Sequence, residues 1–263
     1  MGGVQFHYPP QYKLKLRRLI MLNKIRNEIK DFKLLLKNVP ATILSLFTLS
    51  CVMMNLLANK TLVQTSWIAL DGGILISWLS FMCMDVITKH FGPRASTKIS
   101  IFATFVNLLV CGVFWISSAI PSTADDYNAF NSIFGGTWFI LLGSTIAFIS
   151  SAAINNFINW GIGTTFNKNP DSKLAYFTCT YVSTVIGQLC DNLIFSVIVF
   201  MLFAPIFWDG FHWTFIQCFM CALTGAIVEL MFQIIFSPIN YNISKSWKKD
   251  NVGKDYIDKN GVR

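Results

Sequence analysis

Thr184–Leu202 reads TVIGQLCDNLIFSVIVFML. As a helix this run is long enough to cross a hydrocarbon core of about 30 Å. Yet Gln188, Asp191 and Asn192 stand in its middle. An ionisable residue within a span costs at least about 2.5–3.5 kcal/mol on insertion scales. The stretch therefore reads as a membrane span whose polar residues face a cavity or another helix rather than lipid.

The rest of the chain supports that reading. Of 263 residues, 54% are hydrophobic and only 13% are charged, against about 25% charged in a soluble domain. The apolar residues come in long blocks. These predict an all-α polytopic membrane protein with six transmembrane helices, near residues 39–59, 67–88, 99–120, 135–159, 174–204 and 212–238. Residues 1–38 form a basic segment, 39–240 the membrane domain and 241–263 a basic tail. The first 38 residues carry too many charges for the apolar core of a cleaved signal.

Charge sets the expected orientation. With six spans, 20 of the 21 Lys and Arg residues fall on one side, and only Lys60 on the other. The positive-inside bias places both termini in the cytoplasm of a bacterial inner membrane. The net charge of +8 needs no nucleic acid, because anionic lipid would hold these residues. Leu22, Ile25, Ile29, Phe32 and Leu36 recur at helical spacing, with Lys30, Lys33 and Lys37 between them. That pattern predicts an amphipathic helix on the inner membrane face, an anchor or a docking surface.

All seven cysteines lie in apolar runs, which argues against a disulfide framework. Cys218 and Cys221 form a C-x-x-C, read as packing rather than a metal pair because no second pair accompanies it. No metal or cofactor is expected. His7, His90 and His212 all fall outside the spans, and no zinc-protease or nucleotide-binding motif is present. No catalytic residue is assigned, and a small-molecule translocation site is expected instead.

Four carboxylates fall in the spans. Asp71 precedes two glycines and reads as an interfacial cap at a helix start. Asp85 is either paired with Lys89 one turn on or part of a site. Asp191 and Glu229 lie deepest and lack the reach to snorkel. Gln188, Asp191 and Phe195 share a helical face, and Ser183 and Gly187 make a small-x-x-x-small groove beside it. Amides at Asn55, Asn107, Asn155, Asn156 and Asn159 add polar groups from three other spans. Together they suggest a polar chamber near the midplane, with Trp78, Phe81 and Phe195 as flat apolar walls.

Longer stretches carry a resemblance. NLLANK (Asn55–Lys60) followed by DGGILISWLSFMCMDVITKHFGPRAS (Asp71–Ser96) resembles the vitamin-uptake-like (VUT) family of queuosine-precursor transporters. The shared pattern is an Asn ending the first span with a Lys soon after, then Asp-x-x-Thr-x-x-Phe-Gly closing the second. STIAFISSAAINNFINW (Ser144–Trp160) and STVIGQLCDNLIF (Ser183–Phe195) extend it. Departures are Lys89, where members commonly have an acid, and Ser77–Trp78, where they often have Phe-Pro. The resemblance implies a six-helix importer of 7-deazaguanine bases. Together with the polar and aromatic residues of the spans, it points to a substrate site drawn from Asn55, Trp78, Phe81, Asp85, Asn155, Gln188, Asp191, Phe195 and Glu229, with Asp191 first and Asp85 second for the base edge. A carboxylate accepts the ring N–H and exocyclic amine of such a base together, amides meet its other edge, and an aromatic stacks on its face. Expected partners are a purine-like small molecule, the bilayer and a coupling proton, and an oligomer stays open. A rival reading is a substrate-binding subunit of an ATPase-driven vitamin-uptake complex.

Overall fold

The computed structural model describes residues 10–122, 130–131, 134, 138–165, 172–207 and 210–261. The chain is a helical bundle. Helix α1 spans Pro10–Asn38, α2 Ala41–Leu57, α3 Ile74–Phe91, α4 Pro93–Ala119 and α5 Trp138–Thr165. Helix α6 (Lys173–Ser196) continues through a π-helical stretch, Val197–Phe203, into the single turn α7 (Ala204–Phe207). Helix α8 spans Phe215–Lys249, and α9 spans Lys254–Asn260. Strands β1 (Thr61–Gln64) and β2 (Ala69–Asp71) pair antiparallel between α2 and α3.

Among the described residues five helices are long and apolar enough to cross a membrane, or six if α1 and α2 count as one broken span. At about 1.5 Å per residue, the 17 residues of α2 make a short crossing. The outward faces suit lipid: Phe105, Leu109, Val113 and Ile116 on α4, and Ile227, Met231 and Ile235 on α8, are exposed. The chain is an all-α, multi-pass membrane protein.

Two helix boundaries differ from the sequence expectation. The second span does not begin near residue 67. Ala69–Asp71 is a strand, and Gly72 N–H bonds Lys60 O at 2.7 Å, so helix α3 starts only at Ile74. The last helix does not stop near 238 but runs on to Lys249 with Pro238 inside it. Proline removes the donor that would have reached Ile234 O, and Ser237 Oγ takes that carbonyl instead at 3.1 Å. The fourth span is expected from near residue 135; the described helix α5 begins at Trp138, and residues 135–137 lie outside the described residues.

Local chemistry fixes several helix ends. Gly92, at φ 86°, stops α3, and Pro93 opens α4 with a φ already suited to a helix. A capping box starts α8: Thr214 Oγ1 accepts from Gln217 N, and Gln217 Oε1 accepts from Thr214 N. Ser172 Oγ accepts from Ala175 N at the start of α6.

Two apolar clusters close the bundle at its two ends. One joins Leu35, Phe47, Met84, Ile87, Phe91 and Ile99 to Trp247 and Tyr256 in the C-terminal part of the chain. The other joins Phe139, Phe195, Val199, Phe200 and Trp213 at the opposite end. Helices α1 and α2 meet at 107°, so α1 turns sharply away from the direction of the spans. Its Phe32 and Leu36 pack on the first cluster, whereas Leu22, Ile25 and Ile29 on the same stripe are exposed. Helix α9 packs beside α1, and Asn260 Nδ2 donates to Asp31 Oδ1 at 2.8 Å.

Candidate functional site

A cavity lies between α2, α3, α5, α6 and α8, at the end of the bundle that carries the β-hairpin. Asn55, Asp71, Ser77, Ser144, Asp191, Asn192, Phe195 and Cys221 line it, with Gly73 and Gly225 among the wall residues. Its empty volume is about 460 Å³, counted to the open mouth. The room inside it is that of a few water molecules. A bicyclic ligand enters only when wall side chains move apart.

The wall is acidic. Asp71 and Asp191 belong to it, and no described lining residue is Lys, Arg or His. Asp71, Asp191 and Glu229 lie within one another's electrostatic reach. Asp71 Oδ1 accepts from Gly73 N at 2.7 Å, which ties the end of β2 to the start of α3. Asp191 Oδ1 accepts from Ser151 Oγ at 2.8 Å. Glu229 is wholly buried behind the wall, where it accepts from Ser77 Oγ and, at 3.5 Å, from Asn192 Nδ2. Asn55 Nδ2 donates to Cys51 O at 3.0 Å while the residue lines the cavity.

Asp85 lies deeper, 1% exposed, and outside the cavity wall. Its partners are four: Asn155 (3.4 Å) and Asn159 (3.2 Å) donate to Oδ1, Thr184 (3.2 Å) and Gln233 (2.8 Å) to Oδ2. Lys89 is not among these donors. The carboxylate thus joins α3, α5, α6 and α8 at one point. Asn156, next to Asn155, serves packing: its Oδ1 accepts from Thr88 and Ser96, and its Nδ2 donates to Thr97.

The small residues act as spacers. Asn159 Nδ2 reaches Ser183 Oγ at 3.3 Å, and a Cβ at Gly187 would stand 3.0 Å from Asn155 Cβ. A Cβ at Gly225 would stand 2.4 Å from Asn192 Nδ2, so this glycine leaves room for the amide that reaches Glu229.

The residues singled out from sequence fall into three groups. Asn55, Asp191 and Phe195 line the cavity, and Glu229 stands behind it. Asp85, Asn155 and Gln188 lie together farther inward, all buried. The aromatic walls of α3 are elsewhere. Trp78 stacks on Phe232 and Phe236 with centroids 5.2 and 4.7 Å away, and Phe81 is in the apolar core. Neither lines the cavity: Trp78 is drawn off by the two rings of α8, and Phe81 fills the space beside Gly187. Ser151, Thr184 and Gln233 were not singled out from sequence. Ser and Thr in helices commonly bond their own backbone, so only the neighbouring helix reveals their second partner. Gln233 could have been found one turn from Glu229. Among the described residues no cluster of three or more His, Cys, Asp or Glu side chains is placed to hold a metal ion.

Apolar spans around an acidic, amide-rich interior are the architecture of a membrane carrier for small polar molecules. The family model described as "Putative vitamin uptake transporter" matches residues 71–243, well over half of the chain. The chain belongs to the vitamin-uptake transporter family, and so to a family of transporters rather than enzymes. No curated protein and no solved structure matches it.

Proposed function

We propose that the protein imports a purine-like base of the 7-deazaguanine type, a queuosine precursor, across a bacterial inner membrane with both termini in the cytoplasm. The observation that carries this reading is the outer cavity, where Asp191, Asn192 and Phe195 stand in one wall. A carboxylate accepts paired N–H donors, an amide meets a carbonyl or ring nitrogen, and a phenyl ring takes the flat face. An acidic wall without a described basic residue suits a neutral or cationic nitrogen heterocycle better than an acid-bearing vitamin. In its narrow form the cavity suits a state between ligand-loading steps, since alternating access requires the walls to separate and close again. The buried acids Asp191 and Glu229 are placed to carry a coupling proton.

The test is uptake of labelled 7-deazaguanine bases by cells that lack their own importer. Expression of the chain restores uptake, and Asp191→Asn abolishes it. Normal uptake by that variant removes Asp191 from the mechanism.

A second reading makes the chain the substrate-binding subunit of an ATPase-driven vitamin-uptake complex. The exposed row Leu22, Ile25 and Ile29 on basic α1 favours it as a place to dock. Purified chain that transports alone in liposomes rules this reading out.

A further inference from the structure

Inward of the cavity lies a layer of amides with incomplete hydrogen bonding. Its position follows from the helix register. Across α5 and α6, Ser151 meets Asp191 and Asn159 meets Ser183, which puts Asn155 opposite Gly187 and Gln188. Across α6 and α8, Asn192 meets Glu229 and Tyr181 meets Ser237, which puts Gln188 opposite Gln233. Asn155, Gln188 and Gln233 therefore share one level, a turn inward of Ser151, Asn192 and Glu229.

All three are 0% exposed. Asn155 Nδ2 and Gln233 Nε2 donate to the two different oxygens of Asp85. Among the described residues their carbonyl oxygens have no donor, and neither Nε2 nor Oε1 of Gln188 has a partner. Turning either bonded amide over would set its oxygen against the Asp85 carboxylate. Asp85 therefore fixes which way both amides point: N–H onto itself, C=O away. Buried polar atoms are almost always hydrogen-bonded, and leaving several unpaired at one level is costly. Acceptors outnumber donors among the open atoms, three oxygens to one nitrogen.

We propose that this layer is an inner subsite of the binding site. It takes N–H or O–H donors, with Gln188 as its contact residue and Asp85 as the positioning residue that orients Asn155 and Gln233. The donors come from the edge of the transported base or from ordered water holding the same bonds. Only the first source rests on the function proposed above. The Phe81 ring, one turn from both Ser77 and Asp85 on α3 and beside Gly187, is what a base must displace to reach the layer.

The test uses the full chain in lipid nanodiscs, as wild type and as Gln188→Met, which keeps side-chain length and removes both polar atoms. The probes are 7-deazaguanine and its analogue lacking the exocyclic amine. If the base supplies the donors, wild type prefers the amine-bearing probe by about tenfold or more, and Gln188→Met cuts the preference several-fold, leaving only the share that Asp191 holds. Asp85→Asn, which loses its hold on one amide, cuts it too; a preference left intact there removes Asp85 as the positioning residue. If water supplies the donors, the melting temperature of ligand-free Gln188→Met falls below that of wild type. A variant that keeps the probe preference and melts at or above the wild-type temperature overturns the subsite. Should neither probe bind wild type, the 7-deazaguanine reading fails by itself, and the ligand-free melting comparison alone decides the subsite.

Discussion

Gln233 Nε2 donates to Asp85 Oδ2 at 2.8 Å, which ties α8 to α3 through a carboxylate that also accepts from Asn155, Asn159 and Thr184. Asp85 and Asp191 are both buried acids, yet their surroundings differ. Asp85 has two side-chain donors on each oxygen and stands outside the cavity wall. Asp191 accepts from Ser151 and forms part of that wall. The first arrangement holds four helices in register, and the second leaves a carboxylate where a ligand can arrive.

Replacing Asp85 with Leu should therefore destabilise the bundle more than the same change at Asp191. It strands three amides and a hydroxyl in the interior. Interhelical hydrogen bonds in membranes average about 0.6 kcal/mol each, so the four together are worth roughly 2–3 kcal/mol. Thermal unfolding in nanodiscs reads the difference. Equal losses for the two variants would contradict the assignment of Asp85 to the framework.

Gly225→Ala should perturb the site without unfolding the protein. The new Cβ would stand 2.4 Å from Asn192 Nδ2, the end of a side chain that can turn away. Asn192 then loses Glu229, while the helices keep their spacing. Uptake should fall several-fold, with a stability change of about 1–2 kcal/mol at most. Gly112→Ala on α4, which meets nothing within 4 Å, is the control and should leave both unchanged. Unaltered uptake in Gly225→Ala would separate the Asn192–Glu229 contact from function.

The spans were legible in the sequence because lipid demands long apolar blocks, and the depth of Asp191 and Glu229 could be counted along them. The hairpin was not legible: Thr61–Gln64 and Ala69–Asp71 are too short to show alternation, and Trp67 continues the apolar run into α3. Nor was the extent of α8, because Pro238 ends a helix only if nothing else satisfies the freed carbonyl, and Ser237 does so. Within the interior, periodicity gave the shared face of Gln188, Asp191 and Phe195. It could not say which neighbour that face meets. Asp85 showed this most clearly: sequence offered Lys89 one turn away, whereas its partners come from residues 70 or more positions distant. Trp78 and Phe81 illustrate the same limit, since an aromatic side chain suits lipid, core and ligand alike.

The contact between α1 and α9 should loosen in acid. Asp31 is 8% exposed, and it accepts from Lys98, Lys259 and Asn260. Burial acts to raise its pKa, but hydrogen bonds from Lys98 and Asn260, with the Lys98 charge, outweigh it and hold the carboxyl below its usual range. A depressed folded-state pKa means the stabilisation is complete above the unfolded value of about 3.9 and is lost as pH falls through the folded one. Protease access to the C-terminal segment should therefore stay low at neutral pH and rise below about pH 4. Asp31→Asn should show raised access already at pH 7. Equal protection of variant and wild type at pH 7 would mean that the apolar seat of Tyr256 against Phe91 holds α9 without Asp31.

Cys221 offers a direct reading of ligand occupancy. It lines the cavity on α8, 6% exposed, one turn from Gly225 and in the same cavity as Asp191 of α6. A chain that keeps Cys221 and carries alanine at the other six cysteines isolates this thiol. A small thiol-reactive reagent should label it slowly, because the cavity admits only a few waters until the walls part. Saturating 7-deazaguanine should slow labelling by about tenfold or more, the fraction of time the site stands empty setting the rate. Mass spectrometry of the modified peptide measures both rates. Asp191→Asn in the same background should cancel the protection while leaving the unliganded rate near its original value. Labelling that ignores the base in the parent chain, though uptake proceeds, would place the bound ligand away from this cavity.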